Sequence, residues 1–219
     1  MADLVYKSAQ CSLCGYNFKT PRVKKKAQRA VKTDTDFCVH YSSENPIYYY
    51  VTVCPNCGYS YTDSFGRPRK GMQEEIPHVE EDFLVQRDER LAEEAYLRAI
   101  KCAELQREKS AVLAGLYLHL AWVYRFMEEK EKEKEALKKA YEYYYDTYQT
   151  SYAGDTGRIL YLMGELNRRL GNYKDAVFFL AKVASDRTIG DPALSRMARD
   201  VWQKAREEYK EVDPEADEE

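Results

Sequence analysis

The chain contains no apolar run approaching the ~20 residues that a helix needs to cross a bilayer, and Met1-Ala2-Asp3-Leu4 lacks the basic and apolar stretches of a secretory leader. Together these absences predict a cytoplasmic protein with no membrane partner. Histidine is scarce. Only His40, His78 and His119 occur, and none stands in a recognisable metal or base motif, which argues against a histidine-built catalytic centre. Glycine and proline become rare beyond about residue 83, so that half carries almost no strand or turn signal. Excess charge is also small, at -3 overall, but it is unevenly spread. Residues 1–71 hold 11 Lys or Arg against 5 Asp or Glu, a balance of +6, and the remainder carries -9. Such a split suggests two units with different surroundings.

Six cysteines are present, four of them in a duplicated phrase: Cys11-Ser12-Leu13-Cys14-Gly15-Tyr16 and Cys54-Pro55-Asn56-Cys57-Gly58-Tyr59. A two-residue spacer lets both sulfurs of a pair converge on one ion, and the glycine that follows can take the left-handed backbone that closes the turn. Two such turns predict one four-thiolate zinc site formed by Cys11, Cys14, Cys54 and Cys57. A tetrahedral site saturated with sulfur is structural and staples a small domain. All-thiolate sites also accept iron. In a reducing compartment a disulfide framework is disfavoured. A redox pair at Cys54 and Cys57 is the rival reading, but a thioredoxin-like site needs a single pair within a βαβ pattern, and here the pair has a twin.

Around these turns, residues 3–9 have the composition of a short strand, Pro21 that of a bend, and Ile47-Tyr48-Tyr49-Tyr50-Val51-Thr52-Val53 that of a strand running into Cys54. Residues Lys19 to Lys32 carry seven cations and no acid. Arg22, Lys24, Lys25, Lys26 and Arg29 are therefore candidate anion-binding residues, with RNA phosphates as the ligand. A charged edge that blocks strand aggregation needs the same composition. Cys38 and His40, at i and i+2, are candidate alternate metal ligands or neighbours of the metal ligands. They also spell a thiol–imidazole pair, but no orienting third group or oxyanion-stabilising turn accompanies it.

From about residue 83 alanine, leucine, glutamate, lysine and tyrosine recur at helical spacing. Asp88 to Arg107 reads as a long helix with Cys102 as a small core residue, and Asp191-Pro192 starts a last helix through about Lys210. Leu160, Met163, Gly164, Ala176, Leu180 and Val183 fall where a tetratricopeptide helix pair places its apolar and small residues, and Gly171-Asn172 makes its turn. An earlier copy matches through Tyr117, Leu120, Ala121 and Tyr124, then Ala136, Ala140 and Tyr143. Tyr141, Tyr144, Tyr145 and Tyr148 form one aromatic stripe, either packed between helices or lining a peptide groove. The expected organisation is α+β: a zinc-ribbon-like β head at 1–71, a linker at 72–82, a tetratricopeptide-like all-α body at 83–210 and a disordered acidic tail at 211–219.

The ordered set Cys11-x-x-Cys14-Gly15, Asp34-Thr35-Asp36-Phe37-Cys38, Asn45-Pro46 with its tyrosines, and Cys54-Pro55-x-Cys57-Gly58-Tyr59 resembles a bacterial family of uncharacterised proteins, domain of unknown function family 2225. The resemblance spans most of the chain and implies a zinc-ribbon-like head on a helical body. It lends no activity, and it hints at a role for Cys38 beyond packing. A non-enzymatic scaffold that binds a protein or peptide through its helices needs no part that the sequence lacks.

Overall fold

The computed structural model describes residues 3–150, 156–186, 189 and 191–213. Residues 214–219, most of the expected acidic tail, lie outside them. Among the described residues the architecture is α+β, with three short antiparallel strand pairs followed by six α-helices. None of these helices is long and apolar enough to cross a membrane. The chain divides into two compact units, Met1–Thr33 with Val39–Ala136, and Asp34–Cys38 with Leu137–Glu219.

In the first unit β1 (Leu4–Gln10) pairs with β2 (Asn17–Val23), Leu4 facing Val23 and Gln10 facing Asn17, so the first Cys-x-x-Cys turn is the hairpin loop. Pro21 does not make a bend. It lies within β2 opposite Tyr6, where a two-stranded pair leaves each strand an open edge that tolerates a missing N–H. Next come β3 (Ala30–Thr33) and β4 (Val39–Tyr41), also antiparallel, and then β5 (Thr52–Val53) with β6 (Ser60–Tyr61), which flank the second Cys-x-x-Cys turn.

The run Ile47–Val53 is a strand only at Thr52–Val53; Pro46–Tyr49 instead forms a 3-10 turn. Pro46 presets the helical φ, and the Asn45 Oδ1 accepts the Ile47 N–H at 3.1 Å. The turn is then locked by Arg87, which is buried to 2% exposure. Its Nη1 donates to the carbonyls of Tyr48 and Val51, and its Nε and Nη2 donate to that of Phe83. Propensity favoured a strand, but a cap and a buried guanidinium decided otherwise.

Helix α1 (Glu89–Gln106) starts where the Asp88 carboxylate accepts the Leu91 N–H at 2.9 Å, and ends on Arg107 in the left-handed region. Its apolar face packs on α2 (Ser110–Phe126) and beneath β6. Helix α3 (Lys130–Gln149) follows, with Ala136, Leu137, Ala140 and Tyr144 buried.

In the second unit α4 (Thr156–Leu170) is joined to α5 (Tyr173–Ser185) by Gly171-Asn172, a two-residue connection that turns α5 back along α4. Gly164 sets their separation, because a Cβ there would stand 2.6 Å from the Leu180 Cγ. Helix α6 (Pro192–Val212) opens on Asp191, whose carboxylate caps the Ala193 and Leu194 N–H groups, and packs against α5.

Candidate metal centre

Both cysteine turns are built by the same backbone bonds. The Gly15 N–H donates to the Cys11 carbonyl and the Cys11 N–H to Tyr16; Gly58 repeats the first bond with Cys54, and Cys54 the second with Tyr59, all at 2.9–3.0 Å. The two glycines hold φ of +76° and +71°, which closes each loop. Each turn thereby aims two sulfurs out of the tip of a hairpin.

The two tips face each other. Cys11 Sγ lies 3.7 Å from Cys57 Sγ, and Cys14 Sγ 3.7 Å from Cys54 Sγ. All four sulfurs lie within 4.8 Å of one another. Four thiolates bound tetrahedrally at about 2.3 Å from an ion stand about 3.8 Å apart, so the observed spacing fits one ion. Disulfide sulfurs lie about 2.05 Å apart, and these cysteines are unbonded.

Polar groups prepare the sulfurs for charge. The Cys11 sulfur receives the backbone N–H groups of Cys14 and Leu13, and Cys54 those of Cys57 and Asn56. The Asn56 amide adds a contact to Cys14 Sγ at 3.6 Å. The hydrogen bond between the Cys57 and Cys11 sulfurs lowers the Cys11 thiol to about 5, while the same contact pushes Cys57 up. Burial raises Cys54 to about 11. The cluster is thus suited to hold thiolate charge once a cation neutralises it.

Below the sulfurs an apolar cluster of Phe18, Tyr59, Met72, Ile76 and Cys102 buries Cys11 and Cys54, while Cys14 and Cys57 are half-buried. Cys102 on α1 accepts the Ser60 N–H at 3.4 Å, and the Tyr59 hydroxyl donates to Gln106 Oε1 at 2.8 Å. The second hairpin is therefore seated on α1, a placement that no local sequence pattern encodes. Asn56 and Cys102 were not legible as neighbours of the sulfurs. The only available cue was that Asn56 falls inside the Cys-x-x-Cys spacer.

The two glycines differ in their surroundings. A Cβ at Gly58 would lie 2.7 Å from the Pro77 carbonyl oxygen, whereas at Gly15 nothing lies within 4 Å. Both substitutions carry the left-handed backbone cost of about 1 kcal/mol. We therefore expect Gly58→Ala to lower stability by about 2–4 kcal/mol and Gly15→Ala by about 1 kcal/mol, read from urea melts of the metal-loaded protein. Equal losses would contradict the packing argument.

The remaining sequence candidates fall elsewhere. Cys38 and His40 are not members of the four-sulfur group. Cys38 is buried in the second unit, and its N–H donates to Asp36 Oδ1 at 3.4 Å. His40, on β4, meets Phe126 edge-on with ring centroids 5.3 Å apart. In the basic stretch Arg22 turns inward, donating to Thr52 Oγ1 at 2.6 Å and to the Pro21 carbonyl, and Lys24 is half-buried. Lys25, Lys26 and Arg29 are exposed, as is Lys19. Among the tyrosines Tyr144 is buried and Tyr145 is exposed, its ring 6.2 Å from that of Tyr141; Tyr141 and Tyr148 are half-buried.

The fold and site define a protein in which paired cysteine hairpins are followed by an α-helical body. Residues 4–205 match the family described as an uncharacterized protein conserved in bacteria, domain of unknown function family 2225, and the chain belongs to it. No curated protein and no solved structure matches the chain.

Proposed function

We propose that the protein is a metal-stapled interaction scaffold. One zinc ion on Cys11, Cys14, Cys54 and Cys57 fixes the strands and the helix beneath them, and the tetratricopeptide-like helices dock a protein or peptide in the cytoplasm. The observation that carries this reading is the donor set: four sulfurs at closing distance, two of them buried under apolar side chains. Such a site leaves no coordination position for water or substrate, so its ion supplies folding energy rather than chemistry. The repeat reading draws support from the Gly164–Leu180 contact, the Gly171-Asn172 turn and a final helix that covers α5. In this reading Tyr141, Tyr145 and Tyr148, which keep exposed area, line part of the docking surface. Zinc-dependent turnover of a small substrate by the pure protein would sink the proposal.

A second reading, an RNA-associated factor, is favoured by the exposure of Lys19, Lys25, Lys26 and Arg29. Titration of labelled bulk RNA at 50 and 200 mM salt separates the two. Four phosphate contacts would cost about 50- to 150-fold in affinity across that range. The scaffold reading expects weak binding with no such slope, and a steep slope would move the function to the basic stretch.

A further inference from the structure

The second unit contains one short foreign segment. Residues Asp34–Cys38, between β3 and β4 in the sequence, pack with the helices of residues 137–213. Four positions of α4, spaced three, four and four residues apart, receive it: Arg158, Tyr161, Glu165 and Arg169. That spacing places them on one helix face.

Each residue of the segment from Thr35 to Phe37 is met by side chains of α4. The Thr35 hydroxyl donates to Glu165 Oε1 at 2.5 Å, and its carbonyl accepts from the Tyr161 hydroxyl at 2.7 Å. Arg169 Nη2 lies 3.4 Å from both Thr35 Oγ1 and Asp36 Oδ1. The Phe37 ring rests 5.2 Å from that of Tyr161, with the Arg158 guanidinium 4.4 Å from its centroid. Phe37 also adopts a φ of +69°, unusual for a bulky residue, so its backbone is held by its surroundings.

The receiving face is preorganised. Glu165, with no exposed area, is gripped by Arg168 through Nε and Nη2 and by Arg169 through Nε, at 2.7–2.9 Å. Arg168 is in turn held by Glu208 on α6 through a two-oxygen contact at 2.8 and 3.0 Å. A carboxylate fixed between two arginines offers one acceptor for a hydroxyl and leaves cationic donors for an acid. Main-chain, hydroxyl, carboxylate and ring recognition over three consecutive residues is how a peptide-binding face reads a sequence.

We propose that this face of α4 is a recognition site for a tight acidic turn of the form Asp-Thr-Asp-Phe, filled in the isolated chain by residues 34–38, where the Phe37 N–H donates to the Asp34 carbonyl at 3.0 Å and the Asp34 N–H to that of Cys38 at 2.8 Å. The partner is a protein that presents a hydroxyl residue, then a carboxylate, then an aromatic ring, and that displaces the internal copy. The proposal rests on the scaffold reading and names the chemistry of its partner. An internal ligand lowers the apparent affinity for an external one by the fraction of time the face is free, so the protein engages its partner only when the segment is released.

The test is fluorescence anisotropy with a labelled peptide covering residues 32–40 and carrying Cys38→Ser, titrated with the full-length, metal-loaded protein. A released protein carrying Thr35→Ala and Phe37→Ala in its own segment is expected to bind this peptide at least tenfold more tightly than the wild type does. A second peptide that carries Phe37→Ala is expected to lose that affinity, a control that leaves the protein untouched. Equal binding by wild type and released protein, or no discrimination between the two peptides, overturns the proposal. So does failure of the released protein to bind while its circular dichroism and metal content match wild type. That last outcome leaves the scaffold reading intact, whereas a steep salt-dependent RNA affinity removes the reading itself. Wild-type dimers formed by exchange of residues 34–38 between copies would replace the partner by a second chain and likewise overturn the proposal.

Discussion

Cys54→Ser is expected to release the metal from the protein and to lower its melting temperature by roughly 10–20 °C. Cys54 has no exposed area, lies 3.7 Å from Cys14 Sγ and belongs to the same apolar cluster as Tyr59, Met72 and Cys102. A buried hydroxyl cannot act as a thiolate at neutral pH, so an ion on the four sulfurs would lose one of its anionic ligands and the two hairpins would lose their link. Structural zinc sites contribute on the order of 10 kcal/mol to folding. Forfeiting about half of that corresponds to the expected shift, at about 2–4 °C per kcal/mol for a chain of this length. Metal content by mass spectrometry and thermal melts of the same samples check it. Cys38→Ser, outside the four-sulfur group, is expected to retain one ion per chain. Retention of the ion in Cys54→Ser, or its loss in Cys38→Ser, would reassign the site.

Arg87→Met is the second large effect, about 3–5 kcal/mol of stability lost in urea melts. The guanidinium is enclosed by the carbonyls of Phe83, Tyr48 and Val51 and by the rings of Tyr49 and Phe83, whose centroids stand 5.7 and 5.4 Å from it. Burial pulls its pKa down to about 10, which still leaves it protonated at neutral pH. A methionine fills much of the volume but leaves three buried carbonyls without donors, at about 1–3 kcal/mol each before relaxation. Arg87→Lys is expected to recover less than half of the loss, since one ammonium cannot reproduce a planar fork that reaches both sides of the turn. A loss under about 1 kcal/mol for Arg87→Met would show that water replaces the donors and that the turn stands without them.

These two residues illustrate what the sequence discloses and what it withholds. Cysteine turns are local: spacer, glycine and following tyrosine lie within six residues, and all four sulfurs could be named before any fold was known. Helix starts at Asp88 and Asp191 were legible for the same reason, because the capping carboxylate sits beside the amides it serves. The run from Ile47 to Val53 misled because its β-branched and aromatic composition speaks for a strand. The groups that bend it are Asn45, just upstream, and Arg87, more than thirty residues downstream. Arg22 looked like one of a row of surface cations, yet its partner Thr52 is thirty positions away. The basic row loses a member to a contact that composition cannot reveal.

The assignment of Asp34–Cys38 to the second unit bears on how the protein can be dissected. The chain visits that unit early, leaves it for about a hundred residues and then returns. A fragment beginning at residue 137 would keep all of α4, α5 and α6 but arrive with Glu165, Tyr161 and Arg169 missing the groups they hold in the intact chain. Cleavage after the strands would not liberate a self-sufficient module. On the ribosome the helices emerge to find their complement already synthesised, so the last element made completes a structure whose first piece was laid down near the start.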